Sequence, residues 1–111
     1  MGGGIASIRI EPLGVTVPAT PGQTVMEAAR AAGYRWPTTC GGIGECATCA
    51  GDVLSGGESL SPRGRSEERE IVRQRGRGAL ATPTRLCCQA RVESADDVTI
   101  VVRKPGVRPE A

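Results

Sequence analysis

Five cysteines and no histidine set the reactive inventory of this 111-residue chain. Cys40, Cys46 and Cys49 follow the spacing C-x5-C-x2-C, and Cys88 comes after 38 intervening residues, with Cys87 beside it. Thiolates are soft ligands that suit iron–sulfur clusters, zinc and copper(I). The absence of His excludes Rieske ligation, Cys–His or Ser–His catalysis, Cys2His2 zinc fingers and His-ligated haem. The segment Gly41-Gly42-Ile43-Gly44-Glu45 between the first two cysteines is long and rich in glycine. A loop that wraps an inorganic core larger than one ion needs left-handed backbone, which glycine adopts without steric cost. It also turns N–H groups inward, toward bridging sulfides and thiolates. Gly41, Gly42 and Gly44 are therefore candidate backbone donors, with small neighbours Ala47, Thr48 and Ala50 allowing close approach.

Charge makes the same demand. Two ferric ions, two sulfides and four thiolates sum to a formal charge of minus two, and reduction adds one more negative charge. Such a centre is costly to take out of water unless aligned dipoles solvate it. Zinc is the competing occupant. Structural zinc sites draw their ligands as two close pairs, and this chain holds only one C-x-x-C. A thioredoxin-like dithiol at Cys46-Ala47-Thr48-Cys49 would lack a preceding buried strand and leave Cys40 and Cys88 without a role.

Several elements must position these residues. Ser7-Ile8-Arg9-Ile10-Glu11 alternates polar and apolar, as a half-buried strand does, and Val15-Thr16-Val17 resumes after a turn to give an antiparallel hairpin. Pro18 to Gly22 should break it. Thr24 and Glu27 form a capping box ahead of a helix whose apolar face is Val25, Ala28, Ala29 and Ala32, with Gly33 as the stop. Asp52-Val53-Leu54 is a short strand. Ser66 is placed to cap a second helix over about 67–75, with Glu67 and Glu68 in its first turn and Gly76 at its end. A loop runs to Arg85, and strands over Gln89–Val92 and Val98–Val102 close the chain. The order β-β-α-β-α-β-β predicts an α+β domain with a small mixed sheet and a helix across one face. With no Phe, one Trp and one Tyr, the core must come from small aliphatics, and Tyr34 and Trp36 are expected to fill it.

The segment Cys40-Gly41-Gly42-Ile43-Gly44-Glu45-Cys46-Ala47-Thr48-Cys49, with Arg85-Leu86-Cys87-Cys88-Gln89 later, resembles the [2Fe–2S] ferredoxins. The five-residue first gap is similar to that of the adrenodoxin/putidaredoxin branch rather than the four-residue gap of plant-type ferredoxins. The resemblance implies a β-grasp (ubiquitin-like) fold and one [2Fe–2S] cluster. It implies a single-electron carrier between a flavin-containing NAD(P)H reductase and an oxygenase, cytochrome P-450 type or other. It equally admits service to iron–sulfur cluster assembly or an accessory subunit of a larger oxidoreductase. A zinc-binding interaction module is the alternative from another class. The family pattern Arg-Leu-x-Cys-Gln puts the fourth ligand at Cys88, pairs Cys40 with Cys46 on one iron and Cys49 with Cys88 on the other, and leaves Cys87 as a small hydrophobe. Adjacent residues of an extended segment point to opposite sides, which agrees with one ligand of the two.

In adrenodoxin-like proteins the helix between the third and fourth ligands is acidic and docks partners. Here Arg63 to Arg77 holds six Arg and three Glu, so Glu67, Glu68, Glu70 and Arg73 are candidate docking residues of mixed sign. Residues 1–60 sum to −2 (three Arg, five acids) and residues 61–111 to +4 (eleven basic, seven acidic), for a net charge of +2. The basic half has no aromatic residues to stack on bases, so no nucleic-acid partner is expected. No run reaches a membrane span, and Met1-Gly2-Gly3-Gly4 does not open a secretory signal, so a cytoplasmic, reducing location is expected. No nucleophile–base pair, nucleotide loop or flavin motif marks an enzyme. The expectation is one domain over 1–111, monomeric with transient docking, and flexible at residues 1–4 and from about 106 to 111.

Overall fold

The computed structural model describes residues 6–36, 50–81, 83–93 and 98–109. Residues 1–4 and 110–111, part of the expected flexible termini, lie outside them, as does the segment that carries the first three cysteines. Among the described residues are two sheets and two α-helices. The strands β1 (Ala6–Glu11), β2 (Val15–Ala19), β4 (Ala50–Ser55), β5 (Thr84–Leu86) and β6 (Thr99–Arg103) form one mixed sheet in the order β2-β1-β6-β4-β5. β1 and β6 run parallel at its centre, and every other pairing is antiparallel. The helices are α1 (Val25–Ala31) and α2 (Arg65–Arg75), and β3 (Tyr34–Arg35) pairs with β7 (Arg108–Pro109) in a second, two-stranded ribbon.

The hairpin follows the alternation of the sequence. Ala6, Ile8 and Ile10 of β1 face inward with Val17 and Ala19 of β2, while Arg9 and Thr16 face water. β2 runs through Pro18 instead of stopping there. It is the outermost strand, so the missing proline N–H removes no bond from the sheet interior. Ile100 and Val102 of β6 and Val53 of β4 extend the same apolar layer, and α1 contributes Val25, Met26, Ala28 and Ala29 to the one core. Ala32, assigned to the buried face from the sequence, is exposed at the helix end, and Met26 is buried instead. Trp36 is fully buried and Tyr34 half-buried, as core fillers should be.

The capping box is formed as expected. Glu27 N–H donates to Thr24 Oγ1 at 3.0 Å, and Thr24 N–H donates to Glu27 Oε1 at 2.9 Å. Gly33 takes φ of +93° just beyond the end of α1. α2 departs from expectation at its start. It begins at Arg65 with Gly64 as N-cap and no side-chain cap, so Ser66 lies within the first turn. Arg77–Ala81 is a 3-10 turn, not open loop, and β5 follows at Thr84. Gln89–Val92 is not a strand. Arg91 and Val92 make only isolated bridges, to Thr24 and Leu60. The chain beyond residue 106, expected to be loose, is paired as β7 as far as Pro109, with Val107 buried before it.

Candidate cluster site

Of the four expected ligands, Cys88 lies in the described residues. Cys40, Cys46 and Cys49, with Gly41, Gly42 and Gly44, lie outside them. Cys88 stands in a turn that leaves β5: the N–H groups of Gln89 and Ala90 both donate to Leu86 O, at 2.8 and 3.0 Å. The extended geometry assumed for Cys87-Cys88 is therefore replaced by a turn. Three elements hold that turn. β4 pairs with β5 so that Ala50, the residue after Cys49, stands opposite Leu86. The first turn of α1 supplies two of its unsatisfied backbone donors, Met26 N–H to Cys87 O and Val25 N–H to Ala90 O, each at 3.0 Å. α2 supplies Glu67.

Glu67 is buried, and its carboxylate accepts three hydrogen bonds: from Arg85 Nε at 2.8 Å, Arg85 Nη2 at 3.2 Å and the Leu86 N–H at 2.9 Å. It ties α2 to β5 two residues ahead of Cys88. This corrects the expectation of a docking role: the carboxylate is spent inside the molecule, where a forked guanidinium partner and a backbone donor replace its water. Glu70 is also turned in, 9% exposed, and accepts from Arg73 Nη2 at 3.1 Å. Glu68 keeps a carboxylate 42% exposed, and Arg73 keeps a side chain 66% exposed. Of the four docking candidates, two are therefore surface groups. Sequence reasoning missed the Glu67 clamp because its partner lies 18 residues away and no spacing rule links them.

The two adjacent cysteines occupy different surroundings. Cys87 is completely buried, its Sγ 3.9 Å from Arg85 O. A Cβ on Gly51 would come within 3.3 Å of that sulfur, 3.1 Å of Val102 Cγ1 and 3.2 Å of Arg103 O, so glycine at 51 makes the room that Cys87 fills. Burial pushes the Cys87 thiol up to about 12, with the Lys104 cation pulling it partly back. Burial thus favours its neutral form, that of a small apolar core side chain. Cys88 is 4% exposed and its Sγ accepts from Gln89 Nε2 at 3.6 Å. A sheltered soft donor with an amide N–H aimed at it fits a cluster thiolate, whose charge such donors stabilise.

Fold and site define a β-grasp protein whose sheet and helices converge on a cysteine turn. The family described as the 2Fe-2S iron-sulfur cluster binding domain matches residues 8–93, and the chain belongs to it. It is a 2Fe-2S ferredoxin, an electron carrier with one [2Fe–2S] cluster. The 2Fe-2S ferredoxin-5 of Aquifex aeolicus (strain VF5) is 32% identical over 78 residues, which cover 70% of this chain and 78% of that protein. Among solved structures, the ISC-like [2Fe-2S] ferredoxin FdxB from Pseudomonas putida JCM 20004 superposes with a TM-score of 0.65 at 25% identity, covering 97% of this chain and 94% of its own. The Amycolatopsis cytochrome P450 reductase GcoB gives a TM-score of 0.67 at 28% identity over 90% of this chain, which spans only 26% of that protein. No helix among the described residues is long and apolar enough to cross a membrane.

Proposed function

We propose that this ferredoxin belongs to the adrenodoxin/putidaredoxin branch and shuttles single electrons from a flavin-containing NAD(P)H reductase to an oxygenase. Cys40, Cys46, Cys49 and Cys88 would hold the cluster, with Cys40 and Cys46 on one iron and Cys49 and Cys88 on the other. The backbone N–H groups of Gly41, Gly42 and Gly44 would donate to its sulfurs. When bound, the cluster supplies one-electron redox chemistry at nearly constant geometry. The chain's own part is to fix the ligands, exclude water and present a docking face. The observation that carries this reading is the Cys88 turn, a sheltered sulfur held by β4, α1 and α2 together. The C-x5-C gap supports the branch, and the likeness to a P450 reductase chain supports the reductase–oxygenase setting.

The protein is a carrier rather than an enzyme, one domain over 1–111, monomeric between transient encounters. It acts in the cytoplasm on protein partners and takes no nucleic acid. A second reading, electron donation to iron–sulfur cluster assembly, is favoured by the likeness to the ISC-like ferredoxin over nearly the whole of both chains. Mixing with NAD(P)H, a flavin-dependent ferredoxin reductase and a P-450-type oxygenase, first anaerobically and then with O2 and the oxygenase's substrate admitted, separates the two. The proposal expects reductase-dependent bleaching of the visible absorption in the anaerobic stage and, once O2 is admitted, oxygenase product only when all three proteins are present. Failure of every such oxygenase to draw electrons, with transfer to a cluster-assembly system instead, would overturn it in favour of the second reading.

A further inference from the structure

Folding changes the charge that α2 shows to its surroundings. In the sequence, residues 63–77 mix six Arg with three Glu. In the structure, Glu67 is locked against Arg85 and Leu86, and Glu70 is turned in beside Arg73. Only Glu68 keeps a substantially exposed carboxylate, while Arg65, Arg69, Arg73, Arg75 and Arg77 are exposed. A segment of mixed sign thus presents a cationic face. Between α2 and the 3-10 turn Arg77–Ala81 lies a groove of about 360 Å³, lined by Arg65, Glu68, Arg69, Val72, Arg77 and Leu80. Val72 and Leu80 are half-buried and give it an apolar floor. Its far wall is fixed: Arg63 Nη2 donates to Leu80 O at 2.7 Å, and Gly76 N–H donates to Val72 O at 2.8 Å where the chain turns back.

We propose that this groove docks an acidic segment of a partner protein, with one aliphatic or aromatic side chain on the Val72–Leu80 floor and flanking carboxylates on Arg65, Arg69 and Arg77. The inference deepens the carrier reading, on which it rests, by giving the partner's chemistry. Guanidinium groups hold carboxylates in two-point contacts, and an apolar anchor ringed by charge is the arrangement that concentrates binding energy. Charges of one sign on an exposed face also steer an oppositely charged partner to it. The opposite side of the same helix grips the strand that leads to Cys88, so a partner seated here stands on an element built into the cluster site. The docking polarity is the reverse of that expected from an acidic helix.

The test uses the holoprotein and a fluorescein-labelled peptide with one leucine flanked on each side by two glutamates, read by fluorescence anisotropy. Binding is expected to saturate, to weaken as salt rises, and to fall by about tenfold or more in the double variant Arg65→Glu/Arg69→Glu. The same peptide with serine in place of leucine is expected to bind more weakly. Equal binding by wild type and the double variant would overturn the proposal, as would preference for a lysine-flanked peptide. An oligothymidylate bound more tightly than the peptide, with the same sensitivity to the two substitutions, would give the surface to nucleic acid. Self-association lost in the variant would give it to a second copy, and either result would overturn the proposal. The visible absorption of each sample is recorded alongside: its absence from wild type contradicts the carrier reading, while the peptide still decides the groove.

Discussion

α1 and α2 hold the same turn by different physics. α1 is an apolar helix, sealed at its start by Thr24 and Glu27, with Val25, Met26, Ala28 and Ala29 in the core and two backbone N–H groups on the Cys88 turn. α2 has no side-chain cap, Ile71 is its only fully buried aliphatic residue, and it reaches the turn through one carboxylate. Burial of apolar surface is spread over many contacts and tolerates the loss of any one. A buried ion pair concentrates the attachment in two residues and fails when either is removed. α1 therefore belongs to the core, whereas α2 is a fitted piece whose inner side secures the site and whose outer side is exposed.

The largest expected effect lies at the residue both helices converge on. Cys88→Ser should lose or badly weaken the cluster, whereas Cys87→Ser should keep it, as read by visible absorption after anaerobic reconstitution. A normal spectrum from Cys88→Ser would overturn the ligand assignment. Next is the grip of α2. Glu67→Ala leaves a buried guanidinium without its anion and should cost about 3–5 kcal/mol in chemical denaturation. Adding Arg85→Met should recover much of that loss, because the stranded charge goes with it. Equal stability of the single and double variants would show that the pair is not what fastens α2. Smaller is the cap of α1: Thr24→Ala should cost about 1 kcal/mol, since the packed face remains. A loss as large as that of Glu67→Ala would erase the contrast between the helices.

The same contrast explains what could be read from the sequence. The start, end and most of the buried face of α1 are legible, because a capping box, an apolar period and a terminal glycine are local signals that agree, while the exchange of Ala32 for Met26 on that face is not. The hairpin was legible from strict alternation, though β2 ran past Pro18, which only its edge position in the finished sheet permits. α2 was found, but neither its cap nor the fate of its carboxylates was. Whether Glu67 faces solvent depends on Arg85, brought next to it by β5, and no local pattern encodes that meeting. β3 and β7 were missed for a similar reason: each is two residues long and gains strand geometry only from the other. At the site, cysteine types and spacing carried the chemistry, while the three-element clamp on the Cys88 turn belongs to tertiary structure alone.

The central claim is that the chain is built to hold one [2Fe–2S] cluster and move one electron through it. The most direct test is a potentiometric titration of the anaerobically purified protein, followed by visible absorption and EPR. A brown protein that takes up one electron per two irons and develops an S = 1/2 signal on reduction is the predicted result. A colourless protein that stays silent on reduction, even after reconstitution with iron and sulfide, would contradict the account and leave zinc as the occupant of the cysteines.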